Sequence, residues 1–328
     1  MKSSSSRSRT GMAALSGLVA LLLVTGTACG ADSARPAGEE SISITPTKIA
    51  GANYVAPARD VDSSCLAPAP VEDAVDPARI AVTDPRLLDD ICALGLQSKV
   101  VAVVAKPGAI PTYLGRSVSS LPTIGSPADA IRAAAARPDV VVGDEGAASP
   151  FGSARTVSVD PNASWQDRFR AVAEGLGRRG AADQLLADFT AKAKSIGKGI
   201  DATHSQASLV RFGTDSETLM GTSSFAGQIL ALMGVQRPAT QRAPGDAVVT
   251  PDTFDGADAD IIYIAFDSPA GEKHGTSVMR SDRWLDMGAP SWQRTFVVDD
   301  PIWFTASGPT AARWVMLDVQ QSLNGFSG

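Results

Sequence analysis

The chain has 328 residues, 44 % of them hydrophobic, which suffices for one or two well-packed domains. Its formal charge is −6, and no basic run follows the first nine residues, which excludes a nucleic-acid partner. No apolar stretch reaches the roughly 20 residues that a helix needs to span a bilayer.

Lys2, Arg7 and Arg9 form a positive segment, Met12 to Val24 is nearly continuous apolar sequence, and Gly26-Thr27-Ala28 leads into Cys29. This pattern is that of a signal peptide over residues 1–28, with lipidation of Cys29 at the cleavage point. Gly26 stands where a Leu is usual, and ordinary cleavage beside an unmodified Cys29 is the competing reading. The expected location is extracytoplasmic, with the N-terminal lipid (a palmitate-type chain) in the outer face of the cytoplasmic membrane. The mature chain then holds 26 basic and 35 acidic residues.

Residues 29–56 read as lipid anchor and flexible tether, being mostly Ala, Ser, Gly, Pro and Glu up to about Ser43. Two further thiols, Cys65 and Cys92, lie in an oxidising compartment and are expected to pair; a metal site is the competing reading, weakened by the lack of a nearby His. Pro57 to Pro77 reads as irregular, with order beginning near Arg79. Strands are predicted at 79–83, 99–104, 140–143 and 155–159, and helices at 86–94, stopped by Gly95, and at 128–136. These make an N-terminal α/β lobe over 57–164.

Trp165, Phe169, Val172, Ala173 and Leu176 recur at helical spacing, which resumes after Gly177–Gly180 at Leu185, Leu186, Phe189, Ala193 and Ile196. The second of these helices, from Ala181 to about Ile200, would be roughly 30 Å long and able to bridge two lobes. Connecting helices thus occupy 165–204. Strands at 207–212, 261–266 and 295–298 with helices at 225–233 and 311–323 make a second α/β lobe over 205–328.

Catalytic patterns fail on inspection. His204 and His274 stand alone, Gly221-Thr222-Ser223-Ser224-Phe225 has Phe225 where a nucleophile elbow needs Gly, and Ser195 to Lys198 lies on the predicted bridging helix. No phosphate-cradling glycine pattern occurs, so no enzyme activity, resident cofactor or metal is expected.

Several segments, in order, carry a resemblance: Pro77 to Ile80, Ile91 to Leu96, Leu121 to Gly125, Arg137 to Val140, Gly221 to Phe225, Ala257 to Ile262, Phe296 to Asp299, and Trp303 followed by Gly308-Pro309. The chain resembles the substrate-binding proteins of ABC importers for ferric siderophores, haem and cobalamin. Through Ile44 to Gly51, Cys65 with Cys92, Tyr113-Leu114-Gly115 and Asp201 to Ser208 it is most similar to the ferric-dicitrate-binding type lipoproteins of mycobacteria and related actinobacteria.

The resemblance implies two Rossmann-like lobes joined by one rigid helix, a monomer, and a ferric siderophore or haem held in the crevice beyond the carboxyl ends of the strands. Candidate ligand-binding residues are Arg86, Arg116, Arg211 and Arg242 for charge, Tyr113 and Trp303 as aromatic wall, and Ser224 and Phe225 from the second lobe. It also implies an acidic residue on each lobe for docking on the importer's membrane subunits. These fall at Asp252, where Glu is usual, and Asp129, with Ile131 at the position the spacing selects. That displacement motivates the alternative of an envelope interaction protein that keeps the fold; cobalamin binding is a further alternative.

Overall fold

The computed structural model describes residues 53–54, 59–72, 75–147, 149–250 and 253–324. Cys29 and Asp252 therefore lie outside the described residues. The strands are β1 (Asn53–Tyr54), β2 (Ile80–Val82), β3 (Val100–Val103), β4 (Val140–Gly143), β5 (Arg155–Ser158), β6 (Ala207–Phe212), β7 (Glu217–Leu219), β8 (Ala247–Val249), β9 (Ile261–Phe266) and β10 (Thr295–Val297). The helices of the first half are α1 (Leu88–Ala93), α2 (Arg116–Ser119), α3 (Ala130–Ala136), α4 (Trp165–Gly175) and α5 (Arg179–Gly199). Those of the second half are α6 (Phe225–Met233), α7 (Pro269–Val278), α8 (Asp282–Leu285), α9 (Gly288–Ser291), α10 (Asp300–Trp303) and α11 (Pro309–Ser322).

Two sheets result. The first has the order β3-β2-β4-β5 and is parallel throughout. Its strands β3, β2 and β4 are unbroken apolar runs such as Ile80-Ala81-Val82, as expected of a parallel sheet covered on both faces, while β5 exposes Arg155 and Ser158. The second has the order β1-β10-β9-β6-β7-β8, parallel from β1 to β6 and antiparallel over β7 and β8.

Between the sheets run α4 and α5. The Ser164 hydroxyl caps α4 by accepting from the Asp167 amide at 3.1 Å, and Trp165, Phe169 and Val172 turn inward. Helix α5, about 31 Å long at 21 residues, buries Leu186, Phe189, Ala193 and Ile196. Its Gly197 lets α6 approach: a Cβ there would stand 1.8 Å from the Met233 carbonyl oxygen.

The N-terminal arm departs from expectation. Asn53 and Tyr54, assigned to the tether by composition, pair with Phe296 and Val297 as the edge strand of the second sheet. Residues 59–72 lack regular helix beyond one turn at Val61–Ser63, yet they are bonded to the body at several points. Arg59 pairs with Asp299 and Asp318, and Asp62 pairs with Arg116. Glu72 accepts from the Gly180 and Ala181 amides at 2.6 and 2.8 Å, capping the N-terminus of α5. Order thus begins well before Arg79, held by polar contacts that leave no hydrophobic period to read.

Cys65 and Cys92 form the expected disulfide, with Cα atoms 4.5 Å apart and a sequence separation of 27. It ties the arm to α1. Replacing both with Ser is expected to lower unfolding free energy by about 3 kcal/mol in the loop-entropy account, measured by urea unfolding of the double variant under oxidising conditions. Under reducing conditions the two proteins should converge.

Candidate functional site

A cavity of about 410 Å³ opens between the carboxyl ends of the two sheets. The first lobe contributes Asp84 to Arg86, which follow β2, and residues 108–113, which follow β3; the second contributes Pro301, Thr305 and Ala306, around α10. A larger depression of about 560 Å³, lined by Asp258, Trp292 and Arg294 among others, belongs to the opposite end of β9 and β10 and to the second lobe alone. Only the first sits where strand-end loops of both lobes meet.

Its walls are set by local chemistry. Asp84 caps the turn Pro85–Leu87 by accepting from the Arg86 amide at 2.9 Å, and the same carboxylate binds the Arg86 guanidinium at 2.6 and 2.9 Å. Pairing with Asp84 raises the Arg86 pKa above its ordinary value. Pro107-Gly108 turns the chain after β3, with Gly108 at φ +79°, so that Ile110 and Pro111 return over the cavity as an apolar wall.

Tyr113 closes that wall while otherwise buried. Its hydroxyl donates to Asp89 Oδ2 at 2.9 Å, and burial, then the Asp89 carboxylate, push its pKa well above 10. Asp89 in turn accepts from the Thr310 and Ala311 amides at 2.7 and 2.9 Å. A carboxylate on α1 of the first lobe therefore caps α11, which belongs to the second. Gly308 makes this possible, since a Cβ there would lie 2.4 Å from Asp89 Cγ. Next to it, Asp90 is fully buried 3.8 Å from Arg168 Nε, and burial raises its pKa well above the usual carboxylate range, with Arg168 opposing.

Of the eight residues proposed to bind ligand, Arg86 and Tyr113 line the cavity and the other six do not. Arg116 is held by Asp62 of the arm, with its side chain 89 % exposed. Arg211 grips Asp300, donating through Nη2 at 2.9 Å. Arg242 donates from Nε to the Arg237 carbonyl at 3.0 Å. Ser224 is the N-cap of α6, accepting from the Gly227 amide at 3.2 Å.

The aromatic assignments need correction. Trp303 is 0 % exposed: it packs on Tyr263 with ring centroids 4.6 Å apart and donates from Nε1 to Asp318 at 2.8 Å. Phe225 is buried edge-on against Trp165, at 5.9 Å. Both are core residues, so neither offers a stacking face. Ile110 and Ala306 were missed. The Pro-Gly and Pro111 turn signals immediately after β3 were the available sign of a loop at the site.

Asp129 is exposed and serves as the N-cap of α3, accepting from the Arg132 amide at 2.9 Å. His204 bonds Asp201, and His274 lies beside Glu217. Among the described residues no group of three or more His, Cys, Asp or Glu is placed to hold a metal ion.

Residues 80–290 match the family model described as Periplasmic binding protein. The chain belongs to that family. Its members are substrate-binding proteins. A curated relative, the probable siderophore-binding lipoprotein YfiY of Bacillus subtilis (strain 168), is 24 % identical over 266 residues, spanning 75 % of this chain and 82 % of the relative. Among solved structures, Staphylococcus aureus SirA complexed with staphyloferrin B superposes with a TM-score of 0.65 at 20 % identity, covering 77 % of this chain and 95 % of SirA. FhuD2 from Staphylococcus aureus with bound ferrioxamine B gives 0.63 at 19 %, covering 76 % and 99 %. The two-lobed binding-protein fold is thus shared.

Burial drives the Asp318 pKa up to about 6 from its ordinary 3.8, against the opposing pull of Arg59 and Trp303. Between those values the folded chain keeps a proton that the unfolded chain has lost, so Asp318 makes stability fall as pH rises from about 4 to about 6. Urea unfolding across that range should show a shallower fall for Asp318→Asn than for the parent chain, with the two curves running parallel above pH 6.

Proposed function

We propose that the chain captures a ferric siderophore in the cavity between its lobes and presents it to the membrane subunits of an ABC importer. The carrying observation is the cavity itself, built from strand-end loops of both lobes. This is where open α/β sheets bind ligands, and here Pro85, Ile110, Pro111, Pro301 and Ala306 supply apolar walls with Arg86 at the rim. The names of YfiY, SirA and FhuD2 support an iron-siderophore ligand over haem or cobalamin. In this reading a lipid on Cys29 holds the monomer at the outer face of the cytoplasmic membrane, and Asp252 and Asp129 face the importer.

A second reading, an envelope interaction protein retaining the fold, draws on the first-lobe docking position. There Ile131 is 82 % exposed and the neighbouring Asp129 is engaged as a helix cap.

Tryptophan-quenching titration of the detergent-solubilised full chain with ferrioxamine B, ferrichrome, haem and cobalamin should show saturable binding of a ferric siderophore. Ala109 is exposed at the cavity, so Ala109→Trp should fill it without disturbing the core and weaken binding at least about tenfold, the equivalent of 1.4 kcal/mol. Trp303→Phe should lower stability by about 1 kcal/mol through loss of the Asp318 hydrogen bond, and change affinity less than about twofold. Saturable binding of none of the four ligands would favour the interaction protein.

A further inference from the structure

The electrostatics of the strand ends bear on which siderophores the cleft accepts. The three residues after each of the parallel strands β2 to β6, β9 and β10 contain many carboxylates and one base, Lys106. Asp84, Asp299 and Asp300 are engaged by Arg86, Arg59 and Arg211. Asp144, Glu145, Asp160, Asp215 and Asp267 are exposed and make no salt bridge among the described residues. Two of the arginines that would receive an anion are already occupied, Arg86 by Asp84 and Arg211 by both oxygens of Asp300. Arg116 pairs with Asp62, and Arg242, without a carboxylate, stands on the loop beside α6. The cavity wall between these groups is apolar apart from Asp84, Arg86, Thr112, Tyr113 and Thr305.

Resting on the binding function proposed above, we propose that this cleft selects ferric ligands of zero or positive net charge, of which ferric trihydroxamates are the fitting class, and disfavours ferric polycarboxylates. Three singly charged hydroxamates cancel the charge of Fe(III), so such a complex enters without meeting net repulsion from the strand-end carboxylates. A ferric dicitrate complex keeps a net negative charge. To be held by Arg86 or Arg211 it must first displace Asp84 or Asp300, and it still faces the remaining acids. The sequence resemblance leaves the iron carrier open, and under this proposal ferric dicitrate is the disfavoured one.

The test uses one shape at three charges. Ferrioxamine B carries a pendant ammonium, its N-acetyl derivative is neutral and its N-succinyl derivative ends in a carboxylate. Titrated into the detergent-solubilised full chain, the three should bind in that order, with at least a tenfold gap between first and last. The gap should narrow when salt is raised from about 20 to about 300 mM, as screening shortens the reach of the carboxylates. Asp144 and Asp215 are exposed, and neither side chain is hydrogen-bonded in the described structure, so Asp144→Lys/Asp215→Lys should fold normally and narrow the gap by about tenfold. Equal affinities across the series, an unchanged ratio in the double variant, or tighter binding of ferric dicitrate than of ferrioxamine B would overturn the charge selection while leaving the binding function standing. Saturable binding of no ferric ligand, dicitrate included, would overturn both.

Discussion

The architecture depends on one buried carboxylate. Asp89 on α1 accepts from two amides at the start of α11 and from the Tyr113 hydroxyl. The N-terminus of a helix has unsatisfied N–H groups and a positive dipole end, so the donors there oppose the burial that raises the Asp89 pKa above the ordinary carboxylate range. Pro309 at the first helical position leaves Thr310 and Ala311 as the amides that point outward, and Gly308 removes the side chain that would block the approach. Because Asp89 comes from one lobe and α11 from the other, this contact joins the lobes. Because Tyr113 ends the 108–113 wall, it also sets the shape of the cavity.

A second set of polar contacts does the same for the arm. Leaving β1 at the edge of the second sheet, the chain is pinned by Arg59 to Asp299 and Asp318, by the Cys65–Cys92 disulfide to α1, and by Glu72 to the N-terminus of α5. It thus crosses from second lobe to first to connecting helix. Together with Asp89 and α5 this makes three separate ties between the lobes. A wide hinge would have to break buried hydrogen bonds to carboxylates, each among the stronger kinds of contact in a protein. Ligand capture with small loop adjustments is the motion this arrangement permits.

Around the binding surface the arginines are largely neutralised by the same economy of pairing, while several strand-end acids are left without a salt-bridge partner among the described residues. Cleft arginines are matched by neighbouring aspartates fixed in the adjoining turns, as Asp84 is by its role as N-cap. Arginine on a strand-end loop is therefore no guide to ligand charge until its partner is known. Trp303 illustrates the same point for aromatics: its position in a motif with Gly308-Pro309 reflects packing against Tyr263 and a bond to Asp318, within the joint that seats α11.

Sequence alone determined the periodic elements. The apolar runs of β2, β4, β6 and β9, the helical spacing of α4 and α5 with Gly177 between them, and the left-handed stop at Gly95 are local signals, written within a few residues. The two thiols Cys65 and Cys92 made the disulfide the expected pairing, and the fold brings them together. The loops after β2 and β3 were legible as site walls because carboxyl-end loops follow from the strand order. What only tertiary structure decided were relations between residues far apart in sequence: β1 beside β10, Glu72 on α5, Asp89 on α11, and Asp300 on Arg211. A hydrogen bond across 221 residues leaves no period in the chain, and an arginine's burial and partner are set by the fold around it. Hence the sequence could name the crevice, while the structure had to say which of its side chains are free to meet a ligand.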